Sequence, residues 1–357
     1  GMDARVDAAG NLIGRYPGWE KLPALATGSH IDTVECGGKY DGTYGVLAGI
    51  EIVRSLHERS LRLRHPFEVI AFSDEESTTI GSKAIAGRVT ADPELYRAKD
   101  GTGIQTCLRR VGGDWSQIVS AQRDRQSIAA FVELHVEQGS VLETSHCDIG
   151  VVEGVVCQRR FDITVLGQAN HAGTTPMPLR RDALVAASRV VLAVDDLARN
   201  LPGQQVATVG SMQVSPNATN IVPGKVKLSV DIRDLSASHV EFLIARLDER
   251  LEAIAAATTT NISKTLRLRM EPTLAAPAIQ AAIARAAEHF NLKYCYLPSR
   301  AGHDAQEVGR FTDMGMIFVP SACGISHSAT EYTSPEQCIQ GANVLLHTLL
   351  QLDHRYP

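Results

Sequence analysis

The chain has 357 residues, with 35 Lys and Arg against 40 Asp and Glu, a formal net charge of −5. That balance argues against a nucleic-acid binder, which needs a basic face to release counterions, and no apolar run reaches the roughly 20 residues of a membrane span. At about 150 residues per domain the length predicts two domains, and a hydrophobic fraction of 44% with 21% charged residues suits a globular protein with a sizeable core.

Residues 22–31 read as a short apolar strand, and 43–56 as a helix with Val46, Leu47, Ile50 and Val53 at helical spacing. Residues 67–72 and 129–136 are dense apolar runs. Buried strands of this kind alternating with helices predict an α/β domain with a mostly parallel sheet. After residue 158 the texture changes to alternating strands at 159–165, 205–214, 225–233 and 265–270, with amphipathic helices at 180–197 and 238–257. A β-α-β-β-α-β order predicts a small antiparallel sheet carrying two helices. From residue 277 the first texture returns, with a helix over 277–290, a strand at 316–319 and a last helix over 335–352. The middle segment therefore reads as a domain inserted into the first. The seven cysteines are scattered and never spaced C-x-x-C, which predicts neither a disulfide framework nor a cysteine zinc site and points to the cytoplasm.

Histidines and carboxylates gather at predicted strand ends. In His30-Ile31-Asp32, residues i and i+2 share a strand face, so the Asp32 carboxylate is expected to bond the far nitrogen of His30, as metal-bound imidazoles usually require; ordinary packing gives the same triplet. Asp41 stands in a glycine-rich turn, where it can cap the following helix or bridge two metal ions. Asp74-Glu75-Glu76 lies at the carboxyl end of a buried strand, where α/β sheets place their ligands. There one carboxylate can bind metal while its neighbour moves protons; a solvated loop needs no such dense apolar approach, although acidic helix caps often have one. His135 ends another buried strand, where a core histidine is the plainer reading, and His327 follows the last one. Such nitrogen and oxygen donors suit zinc, manganese or cobalt.

In this order, residues 28–34 (GSHIDTV), the Asp41 turn, residues 72–76 (FSDEE), residues 133–139 (ELHVEQG) and His327 resemble the M20 metallopeptidase superfamily. Residues 133–139, 171–177 (HAGTTPM) and 301–305 (AGHDA) resemble its amidase branch: N-carbamoyl-L-amino acid hydrolases, allantoate amidohydrolases and related ureido-acid hydrolases. The resemblance implies an α/β catalytic domain with a mixed, mostly parallel sheet at 1–157 and 276–357. It also implies an inserted ferredoxin-like α+β dimerisation or lid domain at 158–275, and a missing helical segment ahead of residues 6–15.

The same resemblance implies two divalent ions per subunit, one held by His30, Asp41 and His135 and the other by Asp41, Glu76 and His327. Glu75 would be the general base, taking a proton from the attacking water and passing it to the leaving nitrogen. His171, supplied across a homodimer, would stabilise the oxyanion. Gln138, Asn220, Arg233 and His303 would hold a small ureido or carbamoyl carboxylate, with Arg233 as a two-pronged fork; the alternative for Arg233 is pairing with its acidic neighbours. Arg300 and Ser77 stand where the branch usually has glycine, and Arg300 is expected to engage a second substrate carboxylate or face solvent. The implied activity is hydrolysis of a carbamoyl or ureido C–N bond, with allantoate, ureidoglycolate, β-ureidopropionate and N-carbamoyl amino acids as candidate substrates. The alternatives are an aminoacylase or peptidase of the same superfamily and a non-catalytic binding or dimerisation protein.

Overall fold

In the computed structural model, which describes residues 1–356, the chain divides into two compact units, residues 1–155 with the chain from 273 onward, and residues 156–272. The elements run β1 (Asp3–Val6), β2 (Leu12–Tyr16), β3 (Ala24–His30), α1 (Thr43–Glu58), β4 (Phe67–Phe72), α2 (Ile80–Ile85), α3 (Ile104–Arg110), β5 (Ile128–Val136), α4 (Val141–Ser145) and β6 (Ile149–Val155). The insert supplies β7 (Cys157–Leu166), β8 (Asn170–His171), α5 (Ala183–Asn200), β9 (Val206–Ser215), β10 (Ile221–Val222), β11 (Lys225–Asp234), α6 (Ala237–Thr258) and β12 (Asn261–Met270). The chain then returns through β13 (Thr273–Leu274), α7 (Pro277–His289), β14 (Tyr294–Ser299), α8 (Asp304–Val308), β15 (Asp313–Val319) and α9 (Pro335–Arg355).

The first unit is built on a nine-stranded sheet ordered β1-β2-β4-β3-β5-β15-β6-β13, with β14 also paired to β6. Its centre, β4-β3-β5-β15, is parallel, and the β1–β2 hairpin and β13 add antiparallel edges. β3 and β4 are buried at every position, as expected of strands covered on both faces. On one face Ile52, Val53, Ile283, Val344, Leu345 and Leu349 of α1, α7 and α9 close over the sheet. On the other, Phe72, Phe131, Met316 and Phe318 form a second core; burying each such side chain contributes about 1.5–3 kcal/mol. Because β4 and β5 flank β3 on opposite sides, the chain switches direction there. The carboxyl ends of these strands form the crevice where such sheets bind ligands.

The second unit is a four-stranded antiparallel sheet ordered β12-β7-β11-β9, with α5 and α6 packed on it. Val226, Leu228, Val230 and Ile232 of β11 face the helices, together with Phe161, Ile163 and Val165 of β7. The expected start of α5 near 180 shifts to Ala183 because Asp182 caps it, accepting hydrogen bonds from the Leu184 and Val185 amides at 2.9 and 3.2 Å. β8 and β10 pair as a separate ribbon that sets His171 opposite Ile221. Among the described residues no helix is long and apolar enough to cross a membrane.

Arg159, only 1% exposed, anchors β7. Its guanidinium reaches Glu241 and Glu271 at 3.0 Å each and donates to the Met270 carbonyl at 2.7 Å. Arg159→Ala removes these bonds and buried packing, but the glutamates left behind are half exposed and regain water. The expected loss is therefore about 2 kcal/mol, below the 3–5 kcal/mol typical when a buried charge is stranded. Urea unfolding measures it, and a change within experimental scatter would remove Arg159 from the stability argument.

Candidate metal centre

The strand ends of the first unit deliver a cluster of donors. His30 is the last residue of β3, Glu75 and Glu76 follow β4, His135 lies one residue from the end of β5, and His327 follows β15. Asp41 enters from the turn before α1. That helix has Gly42 at its N-cap and no side-chain cap bond, so the Asp41 carboxylate does not cap it. The two carboxylate oxygens divide instead between two groups: Oδ1 faces His135 Nε2 at 3.1 Å and His30 Nε2 at 3.5 Å, while Oδ2 faces His327 Nε2 at 3.2 Å. His30, Asp41 and His135 form one set of three donors within 4.8 Å of one another, and Asp41, Glu76 and His327 form another.

The chemistry of these sets fits a cation. His30 Nδ1 lies 2.8 Å from the Asp32 carbonyl, and His135 Nδ1 lies 2.8 Å from the Val136 carbonyl. A neutral ring that donates from Nδ1 presents a lone pair at Nε2; that of His135 accepts from the Gly42 amide at 3.1 Å, and both Nε2 atoms also lie against the anionic Asp41. Protons on the rings or a bound cation must resolve that conflict. In the chain alone protons do: burial opposes charge on His30, but Asp41, Glu75, Asp304 and Asp32 outweigh it and push its pKa up to about 11. Burial is likewise outweighed at Asp41, where hydrogen bonds from His135 and His30 hold the carboxyl far below its usual range. Glu76 Oε1 is buried without a hydrogen-bond partner, an acceptor left for a cation to satisfy.

Gly42 is required by close approach: its φ is +65°, and a Cβ there would sit 2.4 Å from His30 Cε1. Gly42→Ala is expected to displace His30 and weaken divalent-ion binding about ten-fold or more, measured by competition with a chromophoric chelator. Equal affinity in the two proteins would refute it.

Glu75 stands beside the first set, its Oε2 3.8 Å from His30 Nε2. Burial, with Glu76, Glu133 and Asp32 nearby, pushes its pKa up to about 8 against the pull of His30. Asp32 differs from the sequence expectation. Its backbone carbonyl, not its carboxylate, meets His30 Nδ1; the carboxylate oxygen is 3.9 Å away. The strand stops at His30, so the i, i+2 alternation no longer applies at Asp32. The carboxylate turns to the next loop and accepts from the Glu75 and Glu76 amides at 3.3 and 3.1 Å.

Gln138 donates from Nε2 to Asp41 Oδ2 at 2.8 Å, and its Oε1 is buried without a partner. His303 is buried beneath His135, the ring centroids 4.6 Å apart, with Nε2 at 2.8 Å from Ser299 Oγ; burial and His135 hold its pKa well below normal. Sequence reasoning missed Glu133, a fully buried carboxyl that accepts from Ser29 Oγ at 2.7 Å and from the Ala305 amide at 2.8 Å. Its signals were one acid inside an apolar run and its place at the head of the 133–139 motif, neither of which assigned it a role.

In the second unit His171 and Asn220 are exposed on neighbouring segments of the β8–β10 ribbon, the Ala172 amide bonding the Asn220 carbonyl at 2.9 Å. His171 Nδ1 accepts from the Gly173 and Thr174 amides at 3.0 and 3.2 Å. Arg233 pairs with Asp231 on its own strand, Nε to Oδ1 at 2.9 Å, the contact the acidic-neighbour alternative anticipates.

The profile of peptidase family M20/M25/M40 matches residues 26–351. The chain is 38% identical over 360 residues to an N-carbamoyl-L-amino acid amidohydrolase of Geobacillus stearothermophilus, covering 99% of this chain and 87% of that protein. It is 36% identical over 363 residues to the allantoate amidohydrolase of Escherichia coli (strain K12), with coverage of 99% and 87%. Among solved structures it matches an amidase of the hydantoinase/carbamoylase family from Burkholderia multivorans with a TM-score of 0.91 and 36% identity, over 98% of this chain and 86% of that one. With the profile spanning most of the chain and full-length relatives at this identity, the chain belongs to peptidase family M20/M25/M40.

Proposed function

We propose that the chain hydrolyses the carbamoyl or ureido C–N bond of small N-carbamoyl or ureido carboxylic acids. It is a hydrolase acting on C–N bonds. The observation that carries the reading is the division of Asp41 between two donor sets, with the Glu75 carboxyl beside one of them. His30, Asp41 and His135 would hold one divalent ion, and Asp41, Glu76 and His327 a second; zinc, manganese and cobalt all suit these donors. Such ions supply Lewis acidity to the substrate carbonyl and lower the pKa of nearby water.

Glu75 takes a proton from the attacking water on a carboxylate oxygen and returns it to the leaving nitrogen, so the C–N bond breaks without expelling a free amide anion. With an N-carbamoyl acid, the remaining carbamic acid decomposes to carbon dioxide and ammonia. The Asp32 carboxylate orients the Glu75 amide, and Gln138 Oε1 offers an acceptor for a substrate N–H. Arg233 is the proposed partner of the substrate carboxylate, steadied by Asp231, with Asn220 and His303 as further substrate-side residues. His171, its Nδ1 occupied by two backbone amides, keeps its proton on Nε2 and can donate it to a developing oxyanion. We further propose a homodimer in which His171 serves the partner's site. The edge position of β9, with Val206 and Met212 exposed, offers a strand for such pairing.

Ammonia release from allantoate, ureidoglycolate, β-ureidopropionate and N-carbamoyl amino acids, with manganese added, tests the reading. Turnover of at least one is expected. Hydrolysis of dipeptides or N-acyl amino acids alone would replace it with the peptidase or aminoacylase alternative.

A further inference from the structure

We propose that Glu331 is a positioning residue that sets Asp41 and His327 for metal, gripping both from outside the donor sets. The inference rests on the metal-centre reading above. Glu331 is 3% exposed. Its Oε1 accepts from the Tyr40 and Asp41 backbone amides at 3.0 Å each, and its Oε2 accepts from Ser326 Oγ at 2.7 Å. Its own amide donates to the Ser328 carbonyl at 3.0 Å. One residue therefore holds the turn that carries Asp41 and both chain neighbours of His327, joining loops 290 residues apart in sequence.

Two observations show that the surroundings are shaped to this grip. Gly38 lies against the carboxylate, and a Cβ there would fall 2.2 Å from Glu331 Oε1 and 2.5 Å from its Cβ. His327 has φ 52°, a conformation that a non-glycine residue keeps only when its surroundings impose it; the Ser326 and Ser328 contacts lie on either side of it. Glu331 is not a ligand in waiting. Both its oxygens are engaged by Tyr40, Asp41 and Ser326, and among the described residues it belongs to no set of three close donors. A buried carboxylate without a cation partner is tolerated because charge-assisted hydrogen bonds satisfy it, and here they all serve the two loops that carry ligands.

The test compares the wild-type chain with Glu331→Ala, Glu331→Gln and Ser326→Ala. Each is stripped of metal and titrated with Mn(II) against a chromophoric chelator, with circular dichroism as the check on folding. Glu331→Ala is expected to bind the ion of the Asp41, Glu76 and His327 set at least ten-fold more weakly, with a smaller loss at the His30, Asp41 and His135 set, whose histidines keep their own anchors. In Glu331→Gln the amide oxygen can still accept from both backbone amides and the NH2 can donate to Ser326 Oγ, so affinity is expected within about three-fold of wild type. Ser326→Ala removes the Oε2 grip together with the 3.5 Å contact of Ser326 Oγ with Asp41 Oδ2, and buries no new charge; it should lower affinity chiefly for the second ion. A folded Glu331→Ala with wild-type affinities would overturn the proposal, as would Glu331→Gln binding as weakly as Glu331→Ala. If Glu331→Ala does not fold, unchanged second-ion affinity in Ser326→Ala overturns it. A wild-type chain that binds no Mn(II) would instead defeat the metal-centre reading itself.

Discussion

Glu75→Gln is expected to lower kcat by roughly 10²–10⁴-fold, the range for loss of a positioned general base, with metal content and KM close to wild type. Glutamine keeps the shape of the side chain and the contact of the Glu75 amide with Asp32, but its amide cannot accept the proton of the attacking water. Elemental analysis beside kinetics separates this role from a competing one, because His30, Glu75 and Glu76 also form a set of three close donors. Loss of metal together with activity would make Glu75 a ligand and sink its assignment as base. The pH profile gives a second handle. A base must be ionised to act, so activity rises as pH climbs through its pKa and levels off above it. Burial and neighbouring carboxylates lift that pKa from 4.5 to about 8 in the chain alone, and a dication nearby favours the ionised form. The ascending limb is therefore expected between those two values, and it should vanish from the residual activity of Glu75→Gln.

What the sequence could show of this site follows from where side-chain periodicity holds. β4 and β5 were legible because both faces are buried, which leaves dense apolar runs, each interrupted by a single acid (Glu68, Glu133), that lead to Glu75 and His135. The β11 face was legible from its alternation of Val226, Leu228, Val230 and Ile232. β6 and β14 were not: Gly150 and Gly154 interrupt the first, and the second carries Pro298 and the half-exposed Tyr296. The Asp32 contact failed for another local reason, since strand geometry ends at His30 itself. Glu133 and Glu331 lay beyond any local rule, because their bonds to Ser29 and Asp41 span 104 and 290 residues. The donor set itself came from the order of several motifs, none of which carries a metal site alone.

Mixing Glu75→Gln with His171→Ala is expected to restore activity that neither variant has alone. His171→Ala should lose about 10²–10³-fold in kcat, as expected when a donor to a developing oxyanion is removed. Its surroundings hold the ring and the backbone around it in place. Nδ1 accepts from Gly173 and Thr174, Thr175 Oγ1 donates to the His171 carbonyl at 2.7 Å, and Arg180 donates to the next carbonyl, that of Ala172. Nε2 is thus left as an exposed donor, and among the described residues no group accepts from it. If His171 serves the partner's site, a mixed dimer contains one site with Glu75 from the His171→Ala chain and His171 from the Glu75→Gln chain. Random reassociation of a two-fold dimer makes half of the dimers mixed, each with one of its two sites intact, so recovery approaches about a quarter of wild-type activity. If His171 acts on its own chain's site, every site in the mixture lacks either base or donor, and mixing recovers nothing. Sedimentation of the mixture shows whether dimers formed, so failure of association cannot pass for action within one chain.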